Sequence, residues 1–235
     1  AGTQHRSFVS GSGKNTAYFS MADKPEYFPD VNYSAIGNEN NRIIGYSVVK
    51  GLLATHIAPA DDGRSIIMRK YSLTEDKRET FPVTDVLQGE EAVSPRSFVY
   101  METEPLFLTE RGVYAVTAAT VDGAMYTQNR SYYINEALKE KGGIAECEAA
   151  RWQKYYVIAQ GDRLYLLDTS QKSYSRGEPY SSYQYECYLW TGINARVLWE
   201  DGEGRLCFGD CDGNVCRFTE NVYHDYSESG NKAIN

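Results

Sequence analysis

The residues of this chain that could do chemistry sit in short polar segments, and each has to be weighed against the turn that would hold it. Ser10-Gly11-Ser12-Gly13-Lys14-Asn15-Thr16 has the outline of a phosphate-cradling loop. Such a loop needs a glycine five positions before its second one and Ser or Thr directly after the lysine; Phe8 and Asn15 stand there instead. A hairpin turn fits better. Asp210-Cys211-Asp212-Gly213-Asn214 begins like an oxygen-rich calcium loop, but Asn221 occupies the place of the closing glutamate, and Asp-Gly between two apolar runs is a hairpin signal. Cys207, Cys211 and Cys216 lack paired C-x-x-C spacing, and His5, His56 and His224 lie far apart, so a zinc set is not expected. The five cysteines read as reduced, partly buried thiols.

Catalytic signatures are equally thin. The chain has no G-x-S-x-G elbow and no H-E-x-x-H helix. Its carboxylates gather in turns such as Asp61-Asp62-Gly63 and Asp201-Gly202-Glu203-Gly204, where solvated acids are ordinary. No catalytic residue, metal or cofactor is therefore expected, and the protein reads as a non-enzyme. Asn32-Tyr33-Ser34 and Asn129-Arg130-Ser131 match the short glycosylation pattern, which is frequent by chance.

Binding has a stronger signal. Tyr174, Tyr180, Tyr183, Tyr185, Tyr188 and Trp190 crowd one stretch of a chain with 20 tyrosines. Tyr180, Tyr183, Tyr188 and Trp190 are the candidate contacts, because aromatic rings are enriched at binding hot spots. The competing explanation is strand alternation, with Tyr183, Tyr185, Cys187 and Leu189 on one face and Gln184, Glu186, Tyr188 and Trp190 on the other.

The elements that must position these residues are legible from glycines. Gly13, Gly63, Gly112, Gly161 and Gly213 recur about 50 residues apart. Each lies between two short apolar-alternating runs: 6–10 and 16–21, 52–57 and 65–70, 106–109 and 113–117, 155–159 and 164–168, 206–210 and 215–219. A strand, a glycine turn and a second strand make a β-hairpin. First strands are expected at 43–49, 97–100, 145–152 and 195–199, and outer strands at 32–36, 82–87, 125–133 and 183–190. The first unit shows no upstream strand, so that place falls to chain outside this one or to the C-terminus closing a ring. A short helix is expected near 135–141, capped by Asn135 and stopped by Gly142. The fold class is therefore all-β: a single β-propeller domain over 1–235, with about five four-stranded blades or a five-blade part of a larger ring.

A net charge of −8 argues against a direct grip on nucleic-acid backbone, and no run of 18 apolar residues is present to span a membrane. The chain opens on Ala1 and closes within what reads as the start of another strand, the pattern of a domain excised from a longer protein.

Several segments are similar to those of propeller-like tail proteins of tailed bacteriophages and prophages. They are Ala17-Tyr18-Phe19-Ser20, Pro25-Glu26-Tyr27-Phe28-Pro29-Asp30 with Asn32-Tyr33, the strand into Gly51-Leu52-Leu53, Val93-Ser94-Pro95-Arg96-Ser97, Leu106 through Tyr114, and Leu206 through Phe218. The style also resembles packaged-DNA stabilisation and tail-hub proteins of short-tailed phages. The resemblance implies a non-catalytic virion component, made in the bacterial cytoplasm, whose partners are other tail proteins or copies of itself in a ring. The other expectation is a carbohydrate-binding or glycan-cleaving propeller, although the sialidase-type S-x-D-x-G-x-T-W box is missing.

Overall fold

Continuous apolar runs such as Leu106-Phe107-Leu108 and Tyr156-Val157-Ile158-Ala159 form strands with both faces covered, because successive side chains point to opposite sides. The structure, a computed structural model, describes residues 2–3, 6–77, 79–102, 104–118, 125–177, 182–219, 224–225 and 232–233.

The described strands make five antiparallel sheets in chain order. The first contains Gly2–Thr3, Arg6–Ser10, Thr16–Phe19 and Tyr33–Ala35; the second Arg42–Val49, Leu52–Ala58, Ile66–Arg69 and Val83–Leu87. The third contains Val99–Met101, Glu104–Thr109, Gly112–Ala118 and Met125–Asn129. Glu148–Trp152, Tyr155–Gln160, Arg163–Tyr174 and Tyr183–Thr191 build the fourth. The fifth has three described strands, Ala195–Glu200, Leu206–Asp210 and Val215–Arg217. Within each sheet, strands pair with their neighbours in sequence. Two small ribbons, Ser72–Leu73 with Glu79–Thr80 and His224–Asp225 with Lys232–Ala233, complete the described strands.

All five repeated glycines take the positive φ expected of them: 67° at Gly13, 73° at Gly63, 125° at Gly112, 61° at Gly161 and 86° at Gly213. The absent first strand is corrected, since Gly2–Thr3 pairs antiparallel with Arg6–Ser10. The outer strand expected over 125–133 stops at Asn129, because Arg130 turns inward and Tyr132–Ile134 forms a 3-10 turn. Helix Asn135–Lys141 is present and ends at Gly142 with φ 70°. Asn135 is its first residue rather than its cap: the Asn135 carboxamide oxygen instead accepts a hydrogen bond from Ser131 Oγ at 2.6 Å.

The core is layered between consecutive sheets. Ala17 and Ile36 pack with Ile43, Ile57 and Ile67 between the first and second sheets. Ala54, Ile66 and Met68 meet Phe107 and Val116 between the second and third. Leu106, Leu108 and Ala115 meet Tyr156, Ile158, Tyr165 and Tyr185 between the third and fourth, with Leu138 and Ile144 of the helical insertion closing one end. Val157, Leu164 and Leu166 meet Ala195, Leu198 and Leu206 between the fourth and fifth. Among the described residues, each buried cluster joins only sheets adjacent in this order.

Candidate functional site

The candidate contact residues do not converge. Tyr180 lies outside the described residues. Tyr183 is buried between the third and fourth sheets, its ring under the Arg130 guanidinium at 3.7 Å and beside Tyr185 at 5.5 Å. Tyr188 and Trp190 lie on the opposite face of the same strand. Tyr188 is exposed and meets Tyr155 edge-on at 6.3 Å, while Trp190 packs against Trp152 at 6.1 Å and Phe218 at 5.2 Å. Strand alternation accounts for this split: Tyr183, Tyr185 and Cys187 join one buried layer and Trp190 joins the next.

Several buried polar side chains tie one sheet to the next. Arg130 donates from Nε and Nη2 to the two oxygens of Glu104 at 2.8 and 2.9 Å, and from Nη1 to the Tyr183 carbonyl at 3.0 Å. Tyr185 donates its hydroxyl to the same Glu104 at 2.8 Å. Burial pulls the Arg130 pKa down, but the hydrogen bond and charge of Glu104 outweigh it and leave the guanidinium above its ordinary value. Burial and the Glu104 charge push the Tyr185 phenol strongly up, so it stays a donor. Between the same two sheets, Tyr156 donates to the Ser97 carbonyl at 2.7 Å. Trp152 donates to the Gly204 carbonyl at 3.0 Å, and Glu148 accepts the Leu198 backbone N–H at 3.0 Å, linking the fourth sheet to the fifth.

Arg69 serves the first and second sheets differently. Its guanidinium donates to Ser34 Oγ at 2.9 Å and Thr55 Oγ1 at 3.1 Å, over the face of Phe8. Burial lowers its pKa. His56 is fully buried between the second and third sheets, with Nε2 at 2.9 Å from Ser47 Oγ and its ring edge-on to Phe98 and Phe107. Burial holds this imidazole neutral, down to about 3. The Asp-rich turns use their own carboxylates: Asp210 accepts the backbone N–H groups of Asp212 and Asn214 at 2.9 and 2.8 Å, and Asp201 accepts those of Glu203 and Arg205 at 2.9 Å.

Three surfaces of the described residues are open for contact. On the first sheet, Val9, Tyr18 and Tyr33 stand in register across three strands, 46%, 42% and 58% exposed, on the face turned from the second sheet. On the fifth sheet, Val197 and Val215 flank Gly209 in register, both exposed, on the face turned from the fourth. The second, third and fourth sheets have buried layers on both sides.

The third surface is a groove of about 640 Å³ beside the helical insertion. Glu110 and Arg111 of one hairpin turn form one side, Glu136 and Lys139 of the helix the other, and the Tyr132 ring, 70% exposed, borders it. Tyr133 touches Tyr132 edge-on at 5.8 Å and reaches the fourth sheet through Ser173, its hydroxyl 3.1 Å from Ser173 Oγ. Sequence reading missed Tyr132 and Tyr133 by assigning them to a strand. The signal available was Ser131 ahead of an Asn-Glu pair, which favours a turn into a helix over a continuing strand. Compared with known proteins, the chain matches no family model and no curated sequence.

Proposed function

We propose that the five sheets are successive blades of a β-propeller, and that the protein is a non-catalytic structural module of a phage or prophage virion. In this reading it is a tail component that contacts neighbouring subunits. Consecutive antiparallel sheets with apolar layers between them support the propeller, since each blade of that fold buries its faces against the blades beside it. The sheet-to-sheet bonding of Arg130, Glu104, Tyr185, Trp152 and Glu148 supports a structural role, because these groups are committed to holding sheets together. The virion assignment rests on the resemblance of the hairpin segments to phage tail proteins.

One observation carries the interaction reading: the aligned, exposed Val9–Tyr18–Tyr33 row on the outer face of the first sheet. A flat sheet face bearing two rings and a valine presents the apolar and aromatic surface typical of the centre of a protein interface. The test is complementation of a lysogen lacking the gene with Tyr18→Glu/Tyr33→Glu. The double variant should fold as the wild type does and yet fail to enter particles. Equal entry would remove this face from the interface, and intact infective particles without the gene would overturn the structural role.

A further inference from the structure

We infer that the groove beside the helical insertion is a binding site for a neutral oligosaccharide. The inference stands on the groove alone and does not depend on the virion reading. Its volume of about 640 Å³ is in the range of small-ligand sites, and it is open rather than enclosed.

Three side-chain amides, of Asn129, Asn135 and Gln184, line the groove. Ser131 N donates to Asn129 Oδ1 at 2.9 Å, and Tyr132 N donates to Gln184 Oε1 at 3.2 Å. Ser131 Oγ accepts the Val113 backbone N–H at 2.7 Å, so its own proton goes to Asn135 Oδ1 at 2.6 Å. All three amide oxygens are therefore fixed by protein donors. Among the described residues, no acceptor meets the amide nitrogens of Asn135 and Gln184, whereas that of Asn129 approaches the Arg111 carbonyl at 3.5 Å and also serves the Tyr114 hydroxyl. The N–H groups of Asn135 and Gln184 are thus oriented by the protein and left for acceptor oxygens of a ligand.

The charges select for a neutral ligand. Glu110, Arg111, Glu136 and Lys139 line the groove, and Arg111 is already paired with Glu90 at 3.1 Å, so the lining carries no excess positive charge. Such a lining has no excess positive charge with which to hold a phosphate or an acidic sugar, whereas vicinal hydroxyls can both donate to the carboxylates and accept from the amides and cations. Tyr132 supplies the apolar part, its exposed ring offering a negative π face to the weakly positive C–H face of a sugar. Flat ring, polar rim and a lining without excess positive charge together match a polyhydroxylated ring better than an extended peptide, whose backbone would call for a strand edge or a deep side-chain pocket.

The test is a printed array of neutral and acidic oligosaccharides, followed by titration calorimetry with a bound member. The expected result is binding to neutral members, weakened at least tenfold in Tyr132→Ala and retained in Tyr132→Phe, with unchanged thermal unfolding in both variants. Binding to no member, to acidic members alone, or equally by wild type and Tyr132→Ala would overturn the assignment.

Discussion

At the scale of residues, the Arg130–Glu104–Tyr185 set is the most consequential contact in the described protein. Its members are separated by 26 and 81 positions in sequence, and they join the third sheet to the fourth. Glu104→Ala would leave a buried guanidinium without its counter-charge, a change that costs about 3–5 kcal/mol. Urea unfolding should show that loss as a lower midpoint with an unchanged slope; a loss under about 1 kcal/mol would mean the pair does not hold the sheets. His56 yields a prediction of a different kind. Its folded pKa, about 3, lies below the unfolded value of about 6.5. Its contribution is therefore full above pH 6.5 and declines as pH falls toward 3, by roughly 1.4 kcal/mol per unit. His56→Gln keeps a polar partner for Ser47 but removes the titration, so the stability gap between wild type and variant should narrow on acidification. Carboxylates held low, such as Asp168 beside Lys154 and Ser170, titrate in both proteins and cancel in the comparison. A constant gap from pH 7 to pH 4 would contradict the buried neutral imidazole.

At the scale of elements, the repeated glycines are not equivalent. Gly112 has φ 125°, and a Cβ there would fall 2.1 Å from Asn135 Oδ1 and 2.6 Å from Ser131 Oγ, the pair that seats the helical insertion. Gly213 has φ 86° with nothing within 4 Å of a Cβ. Gly112→Ala should therefore cost at least about 2–3 kcal/mol, through backbone strain plus displacement of the insertion, and Gly213→Ala only about 1 kcal/mol. Thermal melts of the two variants separate these outcomes, and equal losses would show that the insertion is not seated against Gly112. The hairpins were legible in sequence because a tight turn needs positive φ locally and the flanking runs are apolar. The edges of the sheets were less legible: the two-residue strand Gly2–Thr3 and the stop at Asn129 depend on pairing and on an inward-turning arginine, not on local propensity. Tyr183 shows the same limit for the site. Alternation along 183–190 separates it correctly from Tyr188 and Trp190, but only the distant Arg130 reveals that Tyr183 is interior. The groove draws Gln184 to the Tyr132 backbone across 52 positions, and no local pattern encodes that meeting.

At the scale of the whole molecule, the layering of the core predicts a gradient of stability. The strands Glu104–Thr109 and Tyr155–Gln160 lie between buried layers on both sides, whereas the first and fifth sheets have a buried layer on one side among the described residues. Native-state hydrogen exchange should be slowest in those two strands and faster in Thr16–Phe19 and Val215–Arg217, since local opening follows the packing that must be broken. A uniform exchange profile would contradict a core built of separate inter-sheet layers. The same layering leaves the Val9–Tyr18–Tyr33 face on one terminal sheet and the Val197–Val215 face on the other, and the proposed virion role assigns subunit contacts to these two faces. The most direct test is to induce a lysogen carrying the gene, purify nuclease-treated particles on a density gradient, and quantify this chain's peptides by mass spectrometry. Recovery at the fixed stoichiometry of a tail protein is the predicted result; absence from abundant, intact particles would contradict the virion role.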